Sequence, residues 1–557
     1  MEQSTVPAGV ALEVHAYLAE GGPANLRQLH AFVSDTVLLT GEGFDPPQPL
    51  PDWGVLARPT LAEVPEPLGE DLGTSAPEAG EFRGSLRTQL DQRVVARVGI
   101  LFYKAHFASG NDAFVHALAD AVDATGEAVA VPIYCSSLRG APDDLLAQLG
   151  TLDTLVVTVL AAGGTKPATS SAGGDDEAWD VEALAALDIP VLQGLCLTWD
   201  RATWARSDDG VSPLDAATQV AVPEFDGRII TTAFSFKETD DDGLPRYVAD
   251  HERCARVAGV AVAHARLRHT PREQRRIALV LSAYPTKHSR VGNAVGLDTP
   301  LSAVRLLRTM RDQGYAVGDL PGLAVGDDAE AGNALIHALI DAGGQDPDWL
   351  TAEQLSGSPV RIPAATYRRW FEALPEDLRT SMTEHWGDAP GSLYVDGGDI
   401  VLATLQAGNL VLLIQPPRGF GENPVAIYHD PDLPPSHHYV AAYRWLEEEF
   451  GAHAAVHLGK HGSLEWLPGK TAALSASCAT DAALGNLPLV YPFLVNDPGE
   501  GAQAKRRAHA TIIDHLVPPM ARAEAYGDIG GTRWSMMVAC ARRLACAPSP
   551  GSLTRNG

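Results

Sequence analysis

The chain has 557 residues, of which 45% are hydrophobic and 20% charged, and its formal net charge is −28. This composition is typical of a globular protein with a sizeable core and about three or four domains. A surface this acidic repels phosphate backbones and therefore argues against a nucleic-acid partner.

Cysteine usage and apolar runs indicate the compartment. The six cysteines include no C-x-x-C pair, which favours a reducing cytoplasm over a disulfide framework or a thiolate zinc site. The amino terminus lacks the basic start and apolar core of a signal peptide. No run of about 18 apolar residues predicts a membrane span. We therefore expect a cytoplasmic protein without a membrane partner.

The amino-terminal half reads as a connection followed by alternating strands and helices. Residues 41–90 are rich in Pro, Gly and acidic side chains and predict a long, loosely structured connection. Short apolar strands are predicted at 94–102, 129–134, 154–160, 189–192 and 228–232. Helical spacing at 112–123 favours a parallel sheet covered on both faces. The pair Gly163-Gly164 follows a strand, where it makes either a ligand loop or a simple turn.

A second α/β unit follows the charged stretch at 240–276. Strands are predicted at 277–282, 409–414 and 454–458, and helices at 300–313, over most of 320–395, at 436–450 and at 503–516. The fold class is therefore α/β, multidomain, with parallel-sheet units and helical insertions. The predicted divisions are 1–90, 91–270, 271–430, 431–528 and a tail at 529–557.

Histidines concentrate in one short stretch of the chain. Six of the 18 lie within 33 residues: His429, His437, His438, His453, His457 and His461. Imidazole suits cobalt, nickel, zinc or copper, and it can also transfer protons near neutral pH. The stretch therefore predicts a metal or proton-transfer site.

The strongest single segment is AAVHLGKHGSLEWLPGK at 454–470. A strand leads into a loop with glycine on both sides, which presents His457, Lys460, His461 and Glu465 together. A surface turn whose histidines cap backbone groups is the alternative. The sequence Gly469-Lys470-Thr471 fails as a phosphate loop because position 464 is leucine.

Two further segments could bind an acidic ligand, and a third could offer a proton carrier or ligand. PTKHSRVGNAVG places Lys287 and Arg290 beside glycines, and QPPRGFGENP offers Arg418. His106 follows the first strand of the sheet and is a weaker candidate. A solvated basic turn explains the first of these segments equally well.

Several long strings, taken together, resemble the large subunit of the cobaltochelatase and magnesium chelatase family. They include VGILFYKAHFASGN, IALVLSAYPTKHSRVGNAVGLDTP and HHYVAAYRWLEEEFGAHAAVHLGKHGSLEWLPGK. The resemblance covers roughly 90–528, and its flanking details favour the cobalt branch. It implies a tetrapyrrole- and metal-binding subunit that inserts Co²⁺, its substrate metal, into hydrogenobyrinic acid a,c-diamide. An AAA+ ATPase subunit and a metal-site-domain subunit would supply the energy with ATP and Mg²⁺.

The resemblance also implies roles for individual residues. Glu465 and His461 are expected to be catalytic, and His457 and His461 to contact the metal. From their charge, and not from the resemblance, Lys460, Arg418, Lys287 and Arg290 are expected to pair with the substrate's carboxylates and polar side arms. His106 is also expected to contact the substrate. The alternatives are a magnesium chelatase large subunit, a non-catalytic tetrapyrrole-binding protein and a general sugar- or nucleotide-binding α/β protein.

The tail departs from the family pattern. The resemblance stops near residue 528, and IGGTRWSMMVACARRLACAPSPGSLTRNG has no convincing periodicity. We interpret it as a shifted reading frame or a truncated gene. On that hypothesis the chain is expected to be inactive by itself.

Overall fold

The computed structural model of the chain divides into two compact units. It describes residues 6–56, 58, 95–163, 181–282, 297–343, 350–419, 427, 430–459, 462–495 and 498–516. Unit 1 comprises Met1–Arg201, Leu214–Arg228 and Phe234–Ala258. Unit 2 comprises Ala202–Pro213, Ile229–Ala233 and Gly259–Gly557.

A seven-stranded sheet is built from the amino-terminal half, in the order β1-β3-β2-β4-β5-β6-β7. Its strands are β1 (Trp53–Val55), β2 (Ala96–Tyr103), β3 (Ala128–Cys135), β4 (Thr154–Val157), β5 (Val191–Leu197), β6 (Ile229–Thr239) and β7 (Pro245–Ala249). Strand β2 pairs in parallel with β3 and β4, and β4 pairs in parallel with β5. The apolar β2 is buried or half-buried throughout, as expected of a central parallel strand. The predicted parallel α/β fold is confirmed.

Helices connect and flank these strands. They are α1 (Ala8–Glu20), α2 (Gly22–Leu38), α3 (Lys104–Ser109), α4 (Ala113–Ala124), α5 (Asp143–Leu149), α6 (Glu182–Ala185), α7 (Arg201–Arg206), a stretch through Pro213–Asp215, the π-helix Ala216–Ala221 and Val222–Phe225, and α8 (His251–His269). Strands β3 and β4 lie on opposite sides of β2. The strand order therefore reverses between β2 and β4, and open α/β sheets bind ligands outside the carboxyl ends at such a point.

Unit 2 contains a six-stranded sheet in the order β12-β13-β8-β14-β15-β16. Its strands are β8 (Ile277–Leu281), β12 (Thr404–Ala407), β13 (Leu410–Ile414), β14 (Ala454–Leu458), β15 (Leu489–Val495) and β16 (Thr511–Leu516). All neighbours pair in parallel except β12, which is antiparallel to β13. The sheet takes strands from both of the predicted stretches 271–430 and 431–528.

Helices cover both faces of this sheet. They are α9 (Thr299–Asp312), α10 (Asp328–Asp341), α11 (Ala352–Gly357), α12 (Ala364–Glu372), α13 (Glu376–Trp386), α14 (His437–Glu448), α15 (Ala479–Leu484) and α16 (Pro498–Arg507). A small sheet, β10-β11-β9, adds β9 (Val360–Ile362), β10 (Val395–Asp396) and β11 (Asp399–Leu402).

The two cores of unit 2 follow from the alternation of side chains along a strand. In β8, Leu279 packs into the core that contains Leu306 of α9 and Leu335 of α10. Its neighbour Val280 faces the opposite core, which contains Tyr439 of α14. Both faces are apolar, so the near-continuous hydrophobic sequence of β8 fits a strand covered on both sides.

One sequence-predicted element is wrong. The helix predicted at 503–516 is instead the end of α16, which stops at Arg507, followed by the parallel strand β16. His509 adopts a φ of 37°, a left-handed conformation that interrupts a helix. Among the described residues, no helix is long and apolar enough to cross a bilayer.

Candidate functional site in unit 2

Three neighbouring parallel strands end together at the carboxyl edge of the unit 2 sheet. Ile414 of β13 pairs with Leu281 of β8, which pairs with Leu458 of β14. The chain order reverses between β8 and β14, so this edge is a topological switch point. Two of the segments predicted to carry chemistry begin at this edge. PTKHSRVGNAVG follows β8 in the sequence, and the Gly-Lys-His-Gly segment follows β14.

The starting points of these two loops are in contact. Ser282 donates its backbone N–H to the Leu458 carbonyl at 3.1 Å. A Cβ on Gly459 would collide with the Ser282 hydroxyl, and Gly459 has a φ of 143°. Only glycine fits at this position, which explains on structural grounds why the Gly-Lys-His-Gly loop begins with glycine.

Four sequence-predicted residues lie outside the described residues. They are Lys287, Arg290, Lys460 and His461. Their predicted roles stay predictions. The described members of the predicted site are His457, Glu465 and Arg418 in unit 2 and His106 in unit 1.

His457 and Glu465 meet around Gly462. A Cβ on Gly462 would lie 3.0 Å from His457 Nδ1, 3.1 Å from Glu465 Oε2 and 3.3 Å from the hydroxyl oxygen of Tyr491. The three side chains come from β14, from the 3₁₀ turn Leu464–Trp466 and from β15. The missing side chain at Gly462 thus leaves room for three polar groups to converge on one point. We call His457, Glu465 and Tyr491 the polar centre.

The polar centre is shielded from solvent. His457 is 2% exposed, Glu465 is 0% exposed and Tyr491 is 1% exposed. The Tyr491 hydroxyl donates to Glu465 Oε1 at 3.3 Å and accepts the backbone N–H of Gly462. Within the described part of the chain, His457 Nδ1 has no hydrogen-bond partner. A buried polar atom without a protein partner keeps its hydrogen-bonding capacity for a group that enters the centre.

A hydrogen-bonded network fixes the other side of His457. The Tyr443 hydroxyl lies 3.0 Å from His457 Nε2, and Gln415 Nε2 donates to that hydroxyl at 3.0 Å. The backbone N–H of Ser463 donates to Gln415 Oε1 at 3.0 Å, which fixes the orientation of the amide. The Ser463 hydroxyl bonds to the Tyr439 hydroxyl at 2.9 Å.

This network favours one tautomer of His457. Because Gln415 donates to the Tyr443 oxygen, the hydroxyl hydrogen of Tyr443 is available for His457 Nε2. The ring hydrogen of neutral His457 then sits on Nδ1, on the side of Glu465. Burial lowers the pKa of His457 to about 3, so the ring is neutral near pH 7. Burial also raises the pKa of Tyr443 far above its usual value.

Arg507 braces the backbone that carries Glu465. Its guanidinium donates to the carbonyls of Glu465 at 2.6 Å, Leu467 at 2.7 Å and Lys470 at 2.9 Å. Lys470 itself donates to the carbonyls of Ala205 and Ser207. The Lys470 amine is therefore bonded to backbone carbonyls of the protein itself, in agreement with the failure of the phosphate-loop pattern.

Arg418 is almost fully buried and donates to the Asp430 carbonyl. It follows β13 and Gln415 at the same edge of the sheet. Its charge affects nearby residues, because it lowers the pKa of Tyr439, although burial is the larger effect and raises it. Arg418 therefore belongs to the surroundings of the polar centre.

The other described histidines of the predicted stretch are dispersed. His437 lies between the Tyr367 hydroxyl, at 2.8 Å, and the Gly387 carbonyl, at 2.9 Å. His453 accepts the backbone N–H of Arg276. Burial lowers the pKa of His438 to about 4. Over the described ranges, no three His, Cys, Asp or Glu side chains are grouped to hold a metal ion.

Sequence reasoning missed Gln415, Tyr443, Tyr491 and Arg507. Each reaches the site from an element distant in sequence from the Gly-Lys-His-Gly loop. The pattern YRW within an amphipathic helix gives no sign that Tyr443 contacts His457. The pairing of β13 with β8 and of β14 with β8 and β15, together with the packing of α14 and α16 beside these strands, brings the four side chains together.

The chain belongs to the CobN/magnesium chelatase family, whose model matches residues 15–531. It is similar to a solved structure, the catalytic subunit of cobaltochelatase from Mycobacterium tuberculosis, with 55% identity and a TM-score of 0.80. That similarity covers 98% of this chain and 44% of the other. The family resemblance predicted from the sequence is confirmed.

Two curated relatives represent both branches of the family. The aerobic cobaltochelatase protein CobN of Pseudomonas aeruginosa is 38% identical over 534 residues, which cover 94% of this chain and 39% of the relative. A magnesium-chelatase subunit of Rhodobacter capsulatus is 30% identical over 460 residues, which cover 79% of this chain and 36% of the relative. The chain thus spans well under half the length of these proteins.

Proposed function

We propose that this chain forms the tetrapyrrole- and metal-binding part of a cobaltochelatase large subunit. Its substrates would be Co²⁺ and hydrogenobyrinic acid a,c-diamide, in the cytoplasm. An AAA+ ATPase subunit and a metal-site-domain subunit would complete the complex and consume ATP with Mg²⁺. The observation that carries the proposal is the polar centre beside the switch point of unit 2. Similarity to the cobaltochelatase proteins of Pseudomonas and Mycobacterium supports the cobalt branch.

The chemistry of metal insertion gives the polar centre its role. Two pyrrole N–H protons must leave the macrocycle as the metal enters, and a positioned carboxylate or imidazole can accept them. We assign that step to Glu465, with His461 as the second candidate. Tyr491 holds one oxygen of the carboxylate, and Arg507 holds the backbone that carries it.

His457 is assigned a contact with the incoming metal or its water. With hydrogen on Nδ1 and with Nε2 accepting from Tyr443, the ring can donate to a water of the incoming ion. Direct binding of the ion through Nδ1 needs the other tautomer, in which the neutral imidazole binds borderline divalent ions without adding repulsive charge. The low pKa of His457 keeps the ring neutral over the working range. Because His457 is buried, this contact requires the centre to open as substrate enters. Basic side chains, namely Arg418, Lys460, Lys287 and Arg290, would pair with acidic groups of the substrate.

Reconstitution tests the proposal. The chain is mixed with the two partner subunits, ATP, Co²⁺ and hydrogenobyrinic acid a,c-diamide, and cobalt insertion is followed by absorbance. ATP-dependent insertion is the expected result. Corrinoid binding without insertion would instead identify a non-catalytic binding protein, and absence of both would reject the proposal.

Magnesium chelatase is the second candidate, because the similarity to the Rhodobacter protein covers 79% of this chain. The same assay with Mg²⁺, protoporphyrin IX and the matching partner subunits separates the two. Faster turnover of the Mg²⁺–porphyrin pair than of the Co²⁺–corrin pair would favour the magnesium branch.

A further inference from the structure

A small cavity lies at the switch point of the sheet in unit 1. Its volume is about 110 Å³, and its walls include Tyr103 at the end of β2 and Thr158 just after β4. These are the two strands between which the chain order reverses. The cavity therefore occupies the position where open α/β sheets bind small ligands.

Most polar groups in its wall are already fixed by hydrogen bonds. Gln219 accepts the Cys196 N–H at 2.8 Å and donates to the Cys196 carbonyl at 2.5 Å and to Asp215 at 2.9 Å. The Thr158 hydroxyl donates to the Leu101 carbonyl at 3.0 Å. The Tyr103 hydroxyl accepts the Leu160 N–H at 2.8 Å. These hydrogen bonds hold the polar groups of the wall in fixed positions.

Two side chains in the wall keep all of their hydrogen-bonding capacity for a ligand, and the Tyr103 hydroxyl keeps its donor hydrogen. The His106 ring nitrogens and the Tyr247 hydroxyl make no hydrogen bond to any described residue. The His106 ring is held edge-on by Phe114, at 5.3 Å, and by Tyr247, at 5.2 Å. It thus has a fixed orientation but uncommitted nitrogens, which is unusual for a ring packed for structure alone.

The charge of the lining selects the ligand class. Among the described residues that line the cavity, none is Lys, Arg, Asp or Glu. The nearby cation Arg228 is already paired with Asp226 at 2.7 Å, both fully buried. An anionic ligand group would lose its hydration without gaining a counter-charge, which is costly. A neutral group avoids this cost.

We propose that this cavity binds a small molecule through an uncharged primary carboxamide. One nitrogen of the neutral imidazole can engage either the carbonyl or the NH₂ of an amide, and the adjacent Tyr247, whose ring centroid lies 5.2 Å away, can engage the other. The Tyr247 hydroxyl supplies a further donor or acceptor. The apolar walls formed by Val159 and Leu160 accommodate a short alkyl body. The cavity lies wholly within unit 1, so its occupancy can be measured without any chelation assay.

Ligand-observed NMR with the full chain tests the proposal, with propionamide as the probe and propionate as its charged isostere. Saturable binding of propionamide, in preference to propionate, is expected. The variant His106→Phe keeps the ring packing but loses the nitrogens and should bind propionamide about fivefold to tenfold more weakly. His116→Gln alters an exposed histidine on α4 and serves as the control.

Three results would overturn the proposal: no saturable propionamide binding, equal binding of propionate, or an unchanged affinity in His106→Phe. If His106→Phe does not fold, as judged by circular dichroism, Tyr247→Phe replaces it. That variant removes one hydroxyl and should also weaken propionamide binding severalfold. An unchanged affinity in Tyr247→Phe would then count against the site.

Discussion

The Nδ1 atom of His457 and the Oε2 atom of Glu465 flank one point in the buried centre of unit 2. They lie 3.0 Å and 3.1 Å from the position that a Cβ of Gly462 would take. The sequence places these residues on a strand and on the turn that follows it, and the glycine between them lets the two side chains approach. Several experimental outcomes depend on this arrangement.

Substitution of Gly462 by alanine should disturb the polar centre. The added methyl would press on His457, Glu465 and Tyr491 at distances tighter than most Cβ contacts. We expect cobalt insertion to fall about tenfold or more, because displacements of a fraction of an ångström matter in such sites. Gly499→Ala is the matched control, since a Cβ there meets no atom within 4 Å. Equal rates in both variants would show that the glycine is not needed for chemistry.

The variant Tyr443→Phe should destabilise unit 2. It removes the partner of His457 Nε2 and an acceptor of Gln415, both of which are buried. Loss of a partner from a buried polar group costs about 1–3 kcal/mol in the free energy of unfolding. Urea denaturation measures this value. Tyr134→Phe is the control, because the Tyr134 hydroxyl makes no hydrogen bond to the described residues, and a similar loss there would contradict the network.

Acidification should remove stability through His457. Burial lowers its folded-state pKa from 6.5 to about 3, and its titratable neighbours are Glu465, Tyr443 and Tyr491. Between these two pKa values the unfolded chain binds a proton that the folded chain does not. The contribution of His457 to the free energy of unfolding is therefore complete above about pH 6.5 and is lost as the pH falls towards 3. Its size is about 1.4 kcal/mol per unit of pKa difference between the folded and unfolded states.

His457→Gln should flatten the pH dependence of the unfolding free energy across that window. Other buried histidines, among them His264 and His438, also contribute to the slope of the unfolding free energy against pH. Their contribution is present in both the parent chain and His457→Gln. The control is His116→Gln, at an exposed site. A variant slope equal to that of the parent chain would mean that His457 titrates normally in the folded state.

Arg507→Ala should weaken the segment that carries Glu465. Three backbone carbonyls lose their buried donor, and we expect a loss of about 3 kcal/mol or more in the free energy of unfolding. Lys505→Ala, on the same helix and half-buried, is the control. Limited proteolysis should also cleave near residues 460–470 faster in Arg507→Ala, and unchanged cleavage would show that other contacts hold the segment.

Much of the unit 2 sheet could be predicted from the sequence, because its strands and helices are marked by signals in neighbouring residues. Strand β14 has the predicted bounds, 454–458, because a short apolar run ends at a glycine. Helix α14 begins after Ser436, whose side chain accepts the N–H of Tyr439 as an N-cap. Such signals need only a few neighbouring residues.

What escaped prediction depends on contacts distant in sequence. The sequence predicts one helix over 503–516, but residues 511–516 form strand β16, whose pairing with β15 is a contact distant in sequence. Tyr491 could not be assigned to the site, because its position beside Glu465 follows from the register of β15 against β14. Conversely, His437 and His453 suggested a cluster by proximity in sequence, but they are bonded to separate parts of unit 2.

The most direct test of the central claim is cobalt insertion by Glu465→Gln in the reconstituted complex. The change keeps the shape of the side chain and removes its ability to accept a proton. Glu448→Gln, on the exposed face of α14, is the matched control. We expect Glu465→Gln to bind hydrogenobyrinic acid a,c-diamide within about twofold of the parent chain and to lose insertion by at least about a hundredfold, while Glu448→Gln matches the parent. Insertion by Glu465→Gln at the parent rate would contradict the assignment of the polar centre as the proton acceptor.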